Sequence, residues 1–213
     1  MREHPILFSG EMVHAILDGR KSVTRRVVKP QVPGMEMWAA KYPNCYPGWA
    51  SNLKHEYGPT TAHFCPYGQP GDRLWVREAW AIRADADNDK EAERWFLGRK
   101  SPTWYPADGE TPSGCAGGMG KTRPSIHMPR WASRLTLEVT GVRVERLQDI
   151  TEGQAVAEGV DTVSMEAVPR QATMSRRADF KQLWDRLSAK RGFGWDKNPW
   201  VFVIEFKRVE AKP

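Results

Sequence analysis

The sequence predicts an α+β domain built on a small, mainly antiparallel β-barrel or curled sheet, with few helices and two loop-rich insertions. Short β-branched and aromatic runs recur along the chain, and the few helical patterns fall between them. Two segments, at about 30–70 and 83–128, are rich in Pro and Gly and lack sustained periodicity. A chain of 213 residues suits a single domain, 1–213, that carries these segments as insertions and still buries a core.

The elements follow in chain order. Pro5 to Phe8 is a short apolar run, and Ser9 is placed to cap a helix in which Met12, Val13, Ile16 and Leu17 recur at helical spacing before Gly19 stops it. Val27 and Val28 read as a brief strand ended by Lys29-Pro30. The Pro70-Gly71-Asp72 turn delivers LWVREAW, a core strand. In the second insertion a charged stretch near 84–100 has helical character, and GCAGGMGKT resembles a phosphate loop. The Walker spacing fails there: Cys115 stands where the first glycine is needed, and no apolar strand precedes it. The segment RLTLEVTGVRVERL is one long strand bulged near Gly141, or a hairpin pivoting there. Thr151 and Gln154 form a capping box for a short helix that Gly159 closes. A longer amphipathic helix carries Phe180, Leu183, Trp184 and Leu187 on one stripe, and NPWVFVIEFKRV ends the chain as a strand.

Composition narrows the function classes. Lys plus Arg number 32 against 26 Asp plus Glu, a moderate basic excess that favours polyanionic partners without demanding them. No apolar run is long enough to cross a bilayer and the N-terminus lacks a signal-peptide pattern, so a cytoplasmic protein with no membrane partner is expected. Cys45, Cys65 and Cys115 are an odd, widely spaced set, read as reduced thiols. Together with His55 and His63 they lack the paired short spacing of a zinc module, so no metal and no other cofactor is expected.

The stretch GRKSVTRRVVKP, directly after the first helix, concentrates five cationic side chains and two hydroxyls. With the PGD turn, the capped helix TEGQAVAEG and the terminal strand WVFVIEFK, it resembles the ASCH family of the PUA-like superfamily, whose signature GxKxxTxR is matched by Gly19, Lys21, Thr24 and Arg26. The resemblance covers both ends of the chain and the PGD segment, and the segments YGQPGDRLWVRE and NPWVFVIEF look like those of large members found in phages and prophages. It implies a PUA-like barrel and, from the best-defined chemistry of the family, hydrolysis of the amide of N(4)-acetylcytidine. Carried over by motif, the catalytic Lys, Thr and Glu fall on Lys21, Thr24 and Glu158, the last in the AxxE pattern with Ala155.

The chemistry is coherent on its own terms. A threonine hydroxyl needs an adjacent base, and a desolvated lysine can serve. Lys21 and Thr24, three residues apart, would meet across a single turn of chain. Glu158, at the negative end of a short helix, is placed to protonate the departing amine, and Arg26 or a backbone N–H to steady the oxyanion. Arg26, Trp75 and Glu78 complete the candidate substrate-binding residues. Glu78 is also a rival acid, or a strand-end carboxylate paired with Arg73 or Arg77. Arg20, Arg25 and Lys29 read as solvated charge. The expected partner is a modified nucleoside or nucleotide. The competing expectations are a module that binds RNA or DNA without chemistry, its tryptophans supplying stacking surfaces, and a ribonuclease.

Overall fold

The computed structural model describes residues 1–40, 48–54, 61–82, 103–109, 120–160 and 175–209. The strands are β1 (Glu3–Leu7), β2 (Val23–Val27), β3 (Met37–Ala40), β4 (Gly48–Ser51), β5 (Thr61–His63), β6 (Arg73–Arg77), β7 (Thr136–Arg146) and β8 (Trp200–Val209). The helices are α1 (Gly10–Leu17), α2 (Glu152–Ala157) and α3 (Arg176–Ser188). Five strands form one sheet in the order β1-β6-β7-β8-β2, and β3-β4-β5 form a second. Within the large sheet β1 and β6 run parallel and the other pairs are antiparallel.

Mixed α+β architecture and the antiparallel bias are as expected, but the barrel is not. Among the described residues the large sheet is open, with β1 and β2 as its two edges. The first insertion contributes the antiparallel strands β3, β4 and β5, pairing that its lack of sustained periodicity did not announce. These strands are three or four residues long, too short for periodicity to reveal. The charged stretch near 84–100, most of GCAGGMGKT, and Cys45, Cys115 and His55 lie outside the described residues.

Strand β8 organises the interior. Its run Val201, Phe202, Val203, Ile204 is 0–3 % exposed because both faces of the strand are covered, which is why it reads as continuously apolar. Phe202, Ile204 and Phe206 join Ile6, Leu74, Val76, Leu137 and Val139 beneath α1, through Val13 and Ile16. Met37 and Trp49 bring the small sheet against this same cluster. Val201 and Val203 face the other way, packing with Val23, Ala155, Phe180 and Trp184 beneath α2 and α3. On the predicted helical stripe Phe180 and Trp184 are buried, whereas Leu187 is half exposed. Strand β7 is one strand, with its register shifted between Val139 and Gly141. A Cβ on Gly141 would lie 2.8 Å from the Glu205 carboxylate, so the bulge glycine makes room for that group.

In the small sheet His63 is buried, with Nε2 at 2.8 Å from Ser51 Oγ. Burial pushes its pKa below the ordinary 6.5, a backbone hydrogen bond at Lys29 opposing the shift. The unfolded chain therefore binds the extra proton first as pH falls, so this contribution to stability is complete above 6.5 and is lost on acidification below it. Urea midpoints measured down through that range are expected to fall, with a smaller fall in His63→Asn. An identical pH profile in the variant would show that His63 is not the group responsible.

Candidate active site

The segment between α1 and β2 is stapled from three sides. Gly19, in the left-handed region at φ +72, ends α1 and lets the Arg20 and Lys21 N–H groups both donate to Ala15 O. The Ser22 N–H donates to Ala157 O at 2.9 Å, and Ser22 O accepts from Phe206 N–H at 2.9 Å. Lys21 and Glu158 consequently pair as an isolated antiparallel bridge. On the Glu158 side, the capping box is fully formed: Thr151 Oγ1 accepts from Gln154 N–H, and Gln154 Oε1 accepts from Thr151 N–H. Ser9 occupies the N-cap position of α1 without a side-chain cap bond.

Two of the three proposed catalytic residues meet in a buried cluster. The Lys21 ammonium donates to Glu158 Oε2 at 2.7 Å, to Glu158 O at 2.8 Å and to Val23 O at 2.8 Å. These acceptors match its three protons. Lys21 is 5 % exposed and Glu158 4 %. Burial pushes the Lys21 pKa down from the ordinary lysine value, opposed by the Glu158 charge and hydrogen bond.

Thr24 is buried too, but its hydroxyl has no hydrogen bond with Lys21 or with any other described residue. The expected single turn does not form. Val23–Val27 is extended as β2, and residues three apart on a strand point to opposite faces. Strand register puts Thr24 opposite Ile204 and Arg26 opposite Phe202, on the α1 face of the sheet, while Arg25 lies opposite Val203 on the α2 and α3 face. What connects Lys21 to Thr24 is the Val23 carbonyl, which the ammonium holds and which belongs to the peptide joined to Thr24.

Arg25 corrects the expectation of solvated charge. It is 3 % exposed, donating from Nη1 to Glu158 Oε1 at 3.1 Å and from Nη2 to Gln154 Oε1 at 2.9 Å. Its guanidinium lies 5.8 Å from the Phe180 ring centre and 3.5 Å from Glu145 Oε2. Glu145 and Glu205 both pair with Arg143, which extends the charged row across β7 and β8. Strand parity was the available signal, because Arg25 alternates with Val23 and Val27. Arg20 is solvent-exposed and paired with Asp18, as expected of it.

The remaining candidates fall elsewhere. Arg26 donates from Nη2 to Leu7 O at 2.6 Å and lies 5.2 Å from the Phe8 ring centre and 6.0 Å from that of Tyr67. The Lys21 ammonium is 5.6 Å from the centre of the same Phe8 ring, so both cations lie near Phe8. Glu78 is 1 % exposed, buried on the same side of its strand as Leu74 and Val76. Its partner is Arg134 rather than Arg73 or Arg77, in two bonds of 2.9 and 3.0 Å. Arg134 also holds Asp108 and lies 4.0 Å from the Tyr105 ring centre, tying the segment Tyr105–Gly109 to the sheet. Burial pushes the Glu78 pKa up, and Arg134 opposes it. Trp75 lies on the other face of β6, with the Arg77 and Arg130 guanidinium groups 5.3 and 6.0 Å from its ring centre.

Among the described residues no group of three or more His, Cys, Asp or Glu could hold a metal ion. None of their helices is long and apolar enough to cross a membrane. Compared with protein-family models, with curated proteins and with solved structures, the chain matches none.

Proposed function

We propose that the protein is a PUA-like, ASCH-type amidohydrolase that removes an acyl group from the exocyclic amine of a cytidine-type nucleoside or nucleotide. The observation that carries this reading is the 2.7 Å contact between Lys21 Nζ and Glu158 Oε2 in a buried site, linked through the Val23 carbonyl to the peptide of a threonine whose hydroxyl is unengaged. Burial lowers the Lys21 pKa, and for the reaction the ammonium passes a proton to the Glu158 carboxylate with which it is hydrogen-bonded. The resulting amine takes the Thr24 proton as Oγ1 attacks the acyl carbon. Glu158, now an acid, delivers its proton to the exocyclic nitrogen as the C–N bond breaks, freeing the nucleoside. Lys21 then passes back to Glu158 the proton it took. The free amine accepts a proton from water as the water oxygen attacks the acyl-threonine, and passes it to Thr24 Oγ1 as the ester bond breaks and the carboxylic acid leaves. For this sequence Lys21 must release the Val23 carbonyl and turn toward Thr24. Burial of Lys21 and Arg25 weighs against a phosphate cradle, which needs its cations exposed.

Acetate release from N(4)-acetylcytidine tests the reading. Thr24→Val and Lys21→Ala are each expected to lose about 100-fold or more, whereas Thr24→Ser retains turnover. No turnover by the unaltered protein, or an unchanged rate in Thr24→Val, would overturn it.

A second reading, nucleic-acid binding without chemistry, draws on the flanked Trp75 face. It predicts salt-sensitive binding of a single-stranded oligonucleotide that Trp75→Ala abolishes and that leaves the strand intact. Cleaved RNA would instead mark a ribonuclease.

A further inference from the structure

A cavity of about 400 Å³ lies between the small sheet and the large one, a volume in the range that holds small ligands. Its apolar walls are Trp49 from β4, Phe64 after β5 and Val142 from β7. Trp49 stands edge-on to Phe202 with ring centres 5.4 Å apart, and Phe64 is seated where a Cβ on Gly48 would come within 2.8 Å of its ring. Two of the three walls therefore come from the first insertion, and both present aromatic rings.

The cavity lies on the Thr24 side of the large sheet. Val142 and Thr24 flank Ile204 in one row across β7, β8 and β2, so their backbones are about 10 Å apart, two strand spacings. In the next row Val144 and Arg26 flank Phe202, the residue on which Trp49 packs. Tyr67, between the cavity residues Cys65 and Gly68, continues toward β2, its ring centre 6.0 Å from the Arg26 guanidinium. Asp72 stands at the far end, beside the β1 edge. Its side chain keeps 7 % of its surface exposed and accepts from two backbone donors, Arg2 N–H to Oδ1 at 2.7 Å and Gln69 N–H to Oδ2 at 3.2 Å. A carboxylate offers about four acceptor sites, so it can also take up hydroxyl groups in the cavity.

Across the sheet the order is thus a carboxylate, a pair of aromatic walls, and Thr24. Cytidine carries its ribose on N1 and its amine on C4, at opposite ends of a flat ring. With the ribose hydroxyls donating to Asp72 and the ring against Trp49, the C4 amine points toward β2, where Thr24 lies. We propose that this cavity is the nucleoside subsite of the hydrolase, Trp49 and Phe64 holding the pyrimidine ring and Asp72 the ribose. The first insertion is then a specificity element that builds two walls of the site. Because Thr24 is 3 % exposed, the side chains over it must part for the acyl group to enter. The assignment rests on the hydrolase reading for what happens at Thr24, whereas binding of ring and ribose stands on the cavity alone.

Calorimetric titration of the full chain with cytidine, the reaction product, reads the subsite without turnover. Cytidine is expected to bind at least about tenfold more tightly than cytosine, the difference a hydrogen bond to a charged group supplies. Trp49→Ala should weaken cytidine about tenfold or more, as loss of a stacking surface does, and Val142→Phe, which fills the cavity, should abolish its binding. Phe64→Ala should weaken it as well, and at a position 47 % exposed it keeps the test decisive if the other variants fail to fold. Where acetate is released, cytidine should inhibit competitively, with an inhibition constant equal to its dissociation constant. No binding of cytidine, equal binding of cytosine, an affinity unchanged in Trp49→Ala and Phe64→Ala, or noncompetitive inhibition would each overturn the assignment. Failure of acetate release alone overturns the hydrolase reading and leaves the binding results to decide the subsite.

Discussion

Replacing Glu158 by alanine is expected to cost about 3–5 kcal/mol of folding stability, the range for removing one partner of a buried ion pair. The Glu158 carboxylate accepts from Lys21 at 2.7 Å and from Arg25 at 3.1 Å, and those cations are 5 % and 3 % exposed. Without it, two buried charges lose their common counter-ion, and Arg25 retains Gln154 and the more distant Glu145. For a domain of this size the loss corresponds to a fall in melting temperature of roughly 10 °C. Lys21→Met is the informative comparison, because it leaves Glu158 still paired with Arg25 and should cost clearly less. Urea unfolding of both variants checks the ordering. A Glu158→Ala loss below about 1 kcal/mol, the worth of a solvated pair, would mean that the cluster is hydrated in solution.

The second large effect is expected at Gly159. Its φ of +75 is strained for any residue with a Cβ, and that atom would lie 2.8 Å from Ala15 Cβ and 2.8 Å from Lys21 Cβ. Left-handed strain and overpacking together set the cost of Gly159→Ala at about 3 kcal/mol. Because the crowded atoms belong to α1 and to Lys21, the variant should also displace the ammonium from Glu158 and slow acetate release. Gly153 is the control: it lies inside α2 with open space around its Cβ position, so Gly153→Ala should stabilise by about 0.5–1 kcal/mol. Equal stability of the two variants would remove the argument that Gly159 is needed for close approach.

Much of the local structure was legible in the residues themselves. The capping box at Thr151, the stop at Gly19 and the bulge near Gly141 were all placed from short-range chemistry. So was the apolar run of β8, because burial on both faces leaves an unmistakable pattern. Strands β3 to β5 escaped because pairing between short segments depends on partners and not on composition. Closure of the expected barrel failed for a related reason: strand count and patterning do not say whether two edges meet.

By itself, then, the sequence determined which segments become helix and strand near the two chain ends, and which lysine, threonine and glutamate to suspect. Tertiary structure alone decided how they are joined. Lys21 and Glu158 are 137 residues apart, and their contact exists because the ends of α1 and α2 are both stapled to the edge of the large sheet. The same packing buried Arg25 beneath Phe180 and set Glu78 against Arg134 instead of its strand neighbours. The physical reason is that a charge in sequence carries no information on its solvent exposure. That is set by which elements cover it, and it decides whether a cation is a solvated group, a structural pair or a reactive amine.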